Sequence, residues 1–301
     1  MPRLVECIPN FSEGRNSQVL KALEQTAQGV PGVTLLDKHM DENHNRSVFT
    51  LLGNPENIGE AAFQMVKTAT EKIDMRTHRG EHPRMGATDV LPFVPLTGTS
   101  MEECVDISHR VAQRVWEELG VPVILYEQSA TAFHRRNLAD VRRGEFEGMP
   151  EKLLKEEWAP DFGERKIHPT AGVTAVGARM PLIAFNVNLD TDNVEIAKNI
   201  AKAIRGSSGG YRDCKALGIM LHDRGIAQVS MNMVNCEGTP LYRAFEAIRF
   251  EAARYGVSIV GAELVGLTPA KALLDAAAYY LKLENYDPFR QVIEYHLIKE
   301  D

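Results

Sequence analysis

Twice along this chain the same order of elements recurs: strand, helix, strand, strand, helix, strand. In the first half, Leu4 to Ile8 reads as a short apolar strand. Ser17 to Gln28 carries Val19, Leu20, Leu23 and Ala27 at helical spacing, with Asn16 or Ser17 as cap. Pro31-Gly32 breaks the chain before a strand over Val33 to Asp37, and a polar stretch, Lys38 to Arg46, leads into a strand over Ser47 to Leu52. A helix over Glu56 to Ile73 and a strand over Val90 to Val94 close the first set, and a helix (Met101 to Leu119) and a strand (Val121 to Tyr126) follow. The second half predicts strands over Pro181 to Asn188, Lys215 to Leu221, Ile226 to Met233 and Val257 to Val260. Its helices are Asn193 to Ile204 and Pro240 to Tyr255, with a last one from Pro269 to Leu283. His222-Asp223-Arg224-Gly225 reads as a tight hairpin turn, which argues against a doubly wound sheet of parallel crossovers.

The order βαββαβ is that of the split motif of ferredoxin-like sheets. The expected class is therefore α+β, two ferredoxin-like βαββαβ subdomains made by duplication. The expected boundaries are 1–180, including a connector over 135–180, and 181–301. The connector is rich in charge, Gly and Pro and holds Trp158-Ala159-Pro160-Asp161-Phe162-Gly163. A segment this long without periodicity is functional or disordered, and its aromatic and glycine content predicts an ordered wall of a site.

Charge and composition limit what the site can serve. Lys plus Arg number 34 and Asp plus Glu 41, for a net charge of −7, which argues against a general nucleic-acid binder. No run approaches the 18 or so apolar residues of a membrane span, and no apolar leader follows Met1. Cys7, Cys104, Cys214 and Cys236 are scattered, without zinc spacing, as reduced core residues of a cytoplasmic protein would be.

The densest polar cluster is His78-Arg79-Gly80-Glu81-His82-Pro83-Arg84. It spells H-x-x-E-H, a zinc-hydrolase pattern that works only on a helix, which Gly80 and Pro83 oppose. The other reading is a rigid loop in which Pro83 fixes His82 beside Glu81 and Arg84, so that His82 serves as a general base. Arg46, before a strand, offers a fork for a carboxylate. The turn-rich segment Pro9 to Arg15 leaves the first strand where binding loops are common.

Several blocks resemble the glutamate formimidoyltransferase family: Leu4 to Gly14; Gly80-Glu81-His82-Pro83-Arg84-Met85-Gly86-Ala87-Thr88-Asp89-Val90; Glu157 to Gly163; Leu264 to Leu267; and Leu273 to Ala278. They run in order along essentially the whole chain. The resemblance implies transfer of a formimidoyl group from N-formimidoyl-L-glutamate to nitrogen 5 of tetrahydrofolate, in histidine degradation. It also implies two ferredoxin-like subdomains with the folate between them, and a cytoplasmic homodimer. Tetrahydrofolate enters as co-substrate, and no metal, nucleic acid or membrane is expected. In some members a cyclodeaminase domain follows; with Asp301 as last residue, that activity is expected to be absent. The resemblance places the catalytic histidine on His82, and His78 four residues earlier is expected to matter much less. The folate segment falls on Gly163, Glu164, Arg165, Lys166, Ile167, His168, Pro169, Thr170, Ala171 and Gly172. Candidate substrate contacts are Asn10, Asp37, His39, Arg46 and Arg84. His39 stands where an acidic residue is usual, and residues 167–172 lack the usual aromatic. The alternatives are formyl transfer or a glycine-type donor with the same acceptor, and a zinc hydrolase using His78 and His82.

Overall fold

The computed structural model describes residues 3–297, which divide into two units, the first ending at Arg179 and the second starting at Met180. In the first, β1 (Val5–Cys7) and β2 (Asn10–Phe11) run into α1 (Ser17–Gln28), β3 (Val33–Asp41), β4 (Arg46–Gly53), α2 (Ile58–Lys72) and β5 (Thr88–Pro95). The Asn16 side chain accepts from the backbone of Gln18 and Val19 and so starts α1, which buries Val19, Leu23 and Ala27 four residues apart. β1 lies between β4 and β5, antiparallel to both, and β3 pairs with β4 on its other side. Fourth, first, third and second strands thus lie side by side, the arrangement that the repeated order predicts.

The first sheet then goes further than the repeat. α3 (Met101–Leu119) opens with a reciprocal capping box of Ser100 and Glu103 and closes on Gly120 in the left-handed region. β6 (Val123–Glu127), α4 (Leu138–Arg142), α5 (Glu145–Lys152) and β7 (Thr174–Ala178) follow. β7 inserts between β5 and β6, parallel to each. Alternate strand residues face two different cores. Leu91, Phe93, Leu125 and Val176 pack with the helices, while Val90, Ile124, Tyr126 and Ala175 pack with Val141, Met149 and Leu153 of the connector. The connector is therefore the second cover of the sheet, because parallel strands need both faces buried.

Three sequence expectations change here. β3 runs on to Asp41 through the polar stretch, which is tolerated because β3 is an edge strand with one neighbour. The connector contains helices and a central strand where no periodicity is visible. The last strand of the second unit runs Ile259–Val265 and not Val257 to Val260.

The second unit contains β8 (Ile183–Leu189), α6 (Val194–Ile204), β9 (Cys214–Leu221), β10 (Ile226–Met233), α7 (Leu241–Ala253), β11 (Ile259–Val265) and α8 (Ala270–Leu281). Its antiparallel sheet has the order β11-β8-β10-β9, again fourth, first, third, second. Ile183, Phe185, Val187 and Leu189, every second residue of β8, face the helices with Ile200, Ala244 and Ile248. The four cysteines are unpaired, and among the described residues no helix is long and apolar enough to cross a membrane.

Candidate active site

In the first unit, the loop between α2 and β5 folds over the ends of β2 and β4 and forms a narrow crevice with them. Phe11, Ser12 and Arg46 line it from the strands, His44 and Asn45 from the turn before β4, His78, His82 and Arg84 from the loop, and Asp89 from β5.

Several bonds hold the loop. The buried His78 donates from Nε2 to the Asn45 carbonyl (2.9 Å), and its Nδ1 accepts from Arg84 Nε (3.3 Å). Both ring nitrogens are thus used by the neutral ring, and burial lowers its pKa in agreement. Asn45 Nδ2 donates to the Arg79 carbonyl (3.0 Å), and the Glu81 N–H to the Asn43 carbonyl (3.3 Å). Gly80 allows this approach: a Cβ there would meet the His44 carbonyl oxygen at 2.1 Å. Gly80→Ala is therefore expected to push the loop off the turn and cost about 1–3 kcal/mol, the usual range for overpacking, measured by urea unfolding. An unchanged midpoint would show that the loop is not held there.

His82 is half-buried, its ring edge-on to that of His44 with centroids 6.1 Å apart. Burial first, then the guanidinium groups of Arg46 and Arg142, push its pKa down to about 4, with Asp89 acting in the opposite sense. Neutral at ordinary pH, it is a proton acceptor facing an electropositive crevice. Arg46 is the open cation there. It donates to Asn10 Oδ1, and its buried Nε has no partner among the described residues. Burial and the like charge of Arg142 lower its own pKa to about 10. Asp41, its cross-strand neighbour, is taken by the backbone N–H and ring of His44, which hold its carboxyl at about 2.

Arg84 is a different case from the one expected. Its guanidinium makes two bonds to Glu147 and one to Glu145, at 2.7–2.8 Å, and is buried. It is spent in latching the loop to α5 rather than open to a substrate. Asp37 and His39 lie on β3 opposite Thr50 and Val48, on the face that carries Arg46, but they do not line the crevice. Asp89 lines the crevice and Arg142 pairs with it from behind, and sequence reasoning singled out neither. A lone acid at the start of the apolar run Val90 to Val94 is the signal that could have flagged Asp89; nothing local flags Arg142.

Residues 163–172 begin beside β6 and end beside the His82 loop. The Thr170 carbonyl accepts from the Met75 N–H, the Ala171 carbonyl from the Ala87 N–H, and the Met85 carbonyl from the Val173 N–H. Gly86 and Gly172 meet across this joint, and a Cβ on either would lie 2.2–2.3 Å from a backbone oxygen of the opposite segment. His168 Nδ1 accepts from the Ala171 N–H (2.9 Å) and shapes the turn, while Glu164, Arg165 and Lys166 are exposed. The preceding Trp158-to-Gly163 block is a clamp. Asp161 accepts from the Leu125 N–H, Thr131 and Arg135, and Arg135 also donates to the carbonyls of Glu157 and Ala159.

The zinc-hydrolase alternative finds no ligand set. The H-x-x-E-H stretch is not helical, His78 has both nitrogens engaged, and among the described residues no group of three His, Cys, Asp or Glu is placed to hold a metal.

The sequence matches two family models, the formiminotransferase domain, N-terminal subdomain, over residues 4–179, and the formiminotransferase domain over residues 184–299. A glutamate formimidoyltransferase of Streptococcus pyogenes is 65% identical over 99% of this chain and 100% of its own length. One from Thermoplasma acidophilum is 49% identical, covering 94% of each chain. The formimidoyltransferase-cyclodeaminase of Gallus gallus is 47% identical over 94% of this chain, which spans 53% of that larger protein. On matches that run through both units and take in the His82 loop, this chain belongs to the formiminotransferase family.

Proposed function

We propose that this chain is a glutamate formimidoyltransferase, moving the formimidoyl group of N-formimidoyl-L-glutamate to nitrogen 5 of tetrahydrofolate with release of L-glutamate. The observation that carries this reading is the 65% identity, over 99% of this chain and 100% of the relative, to a protein of that name. The crevice is consistent in its chemistry. In the reaction, nitrogen 5 attacks the amidine carbon and a tetrahedral intermediate forms. His82 takes the proton from nitrogen 5 and gives it to the glutamate nitrogen as the bond from the amidine carbon to that nitrogen breaks. The formimidoyl group then remains on nitrogen 5.

A ring whose pKa is pushed down to about 4 is proton-free before the reaction and a strong acid once protonated. A carboxylate of the donor set against Arg46 and Asn10 cancels part of the positive field and makes the ring more basic when substrate is present. We assign residues 163–172 to the folate, supported by the hydrogen bonds that tie their end to the His82 loop. Arg165 gives that loop an exposed cation for an anionic tail, beside Lys166, whose ammonium pairs with Glu164 at 2.6 Å. The reading also carries a cytoplasmic homodimer, supported by the family resemblance. A mass of 33.5 kDa by light scattering at micromolar concentration would count against the dimer.

The deciding experiment follows amino-acid release in the presence of tetrahydrofolate from N-formimidoylglutamate, N-formylglutamate and N-formimidoylglycine in parallel. Turnover fastest with the first is expected. Preference for the formyl or the glycine compound would reassign the donor, and no folate-dependent turnover with any of them would overturn the reading.

A further inference from the structure

Asp89 sits at an irregularity in the sheet. Asn10 opposes Val90 and Phe11 opposes Thr88, so the register shifts and Asp89 has no cross-strand partner on β2. Such a bulge re-aims a side chain. Here it brings a carboxylate that is 3% exposed to the wall of the His82 crevice. Its Oδ1 accepts the Met85 N–H at 3.0 Å, three residues past His82. Its Oδ2 accepts from Arg142 at 2.5 Å, and Arg142 reaches in from the end of α4. The buried Nε of Arg142 has no partner among the described residues. A pair serving only to attach the connector to β5 needs neither the bulge nor the bond to the His82 loop. Arg84 already joins that loop to α5.

We propose that the Asp89–Arg142 pair is a positioning device for His82, with Asp89 tethering the loop that carries it and the two opposite charges setting the field at its ring. The proposal rests on the acid–base reading of His82 given above. Arg46 on β4, Asp89 on β5 and the His44 ring in the turn before β4 line the crevice with His82, and Arg142 at the end of α4 stands behind Asp89; the charges of Arg46, Arg142 and Asp89 act on the ring. His78 and Arg84 of its own loop share the crevice, and Glu81 precedes it. Asp89 is the carboxylate that opposes the two guanidinium groups at the ring. The two partners therefore act on His82 with opposite signs, which a structural pair does not require.

The test is a titration of the His82 Cε1 resonance in the full-length protein labelled with 13C-histidine, assigned from its loss in His82→Ala. Arg142→Gln removes a cation and is expected to raise the His82 midpoint; Asp89→Asn removes the opposing charge and is expected to lower it. Each shift should be about 0.5–1.5 pH units, as for a unit charge several ångströms away in a half-buried site. The double variant should return toward the wild-type value. Arg142→Lys keeps the charge and should leave the midpoint near wild type; it decides the matter should Asp89→Asn fail to fold. Shifts of the same sign, or none, or equal effects of Arg142→Lys and Arg142→Gln, would overturn the proposal even with His82→Ala inactive. Full turnover by His82→Ala would overturn the acid–base reading instead, without altering the titration shifts.

Discussion

Replacing His82 by alanine is expected to lower kcat by about two to four orders of magnitude, the usual worth of one positioned acid–base group. Stability and folate affinity should change little, since the ring is half-buried and acts on the reacting atoms in the transition state. The acid limb of kcat/KM should fall well below the ordinary histidine range, because that limb reports the free enzyme, where the ring titrates at about 4. The limb of kcat should lie at higher pH, since bound carboxylate offsets Arg46. The same shift has a sign for stability. The unfolded ring binds its proton at about 6.5 and the folded ring only at about 4, so stability supplied by the neutral ring is complete above 6.5 and is lost as pH falls toward 4. His78→Ala should behave in the opposite way. It orphans the Asn45 carbonyl and Arg84 Nε, costing about 1–3 kcal/mol, and its effect on activity should follow the loss of folded protein. If His82→Ala turns over at near wild-type kcat, or is inactive only because it is unfolded, His82 is not the acid–base group.

The second large effect is expected at Asp161. Its carboxylate and the Arg135 guanidinium are 8% and 7% exposed, and the pair bonds at 2.7 Å. Removing one partner of a buried ion pair leaves the other charge without compensation and costs about 3–5 kcal/mol. Asp161→Ala also frees the Leu125 N–H on β6. Urea unfolding should show the loss directly, and the KM for tetrahydrofolate should rise, because Gly163 starts the proposed folate segment two residues on. Asp161→Asn retains an acceptor for Leu125 and should lose less. A cost under 1 kcal/mol for Asp161→Ala would mean that the clamp does not hold the connector.

The repeat was legible because its strands alternate and its helices keep one apolar stripe; β8, with every second residue turned inward, is a case in point. β7 was not, since Thr-Ala-Val-Gly-Ala is short, made of small residues and buried on both faces, so no alternation marks it. His82 could be singled out from its own loop, where His, Pro and Gly fit no regular element. The partners of Arg84 were not legible, because Glu145 and Glu147 lie more than sixty positions away. The same separation hid the meeting of Asp89 with Arg142, 53 positions apart. Local chemistry identifies a reactive side chain, but which charges oppose it is decided by the fold.

The insertion of β7 between β5 and β6 also orders events in time. On a ribosome, β5 and β6 are made first, and the strand that joins them comes last, after the whole connector. At about 5–20 residues per second, that segment takes on the order of seconds to emerge. Until then the outer edge of β5 is open and β6 has no sheet partner, a state in which an unpaired apolar edge can capture another chain. Aggregation during synthesis should accordingly be most sensitive to changes that slow or weaken the arrival of residues 174–178, and least to changes in the second unit.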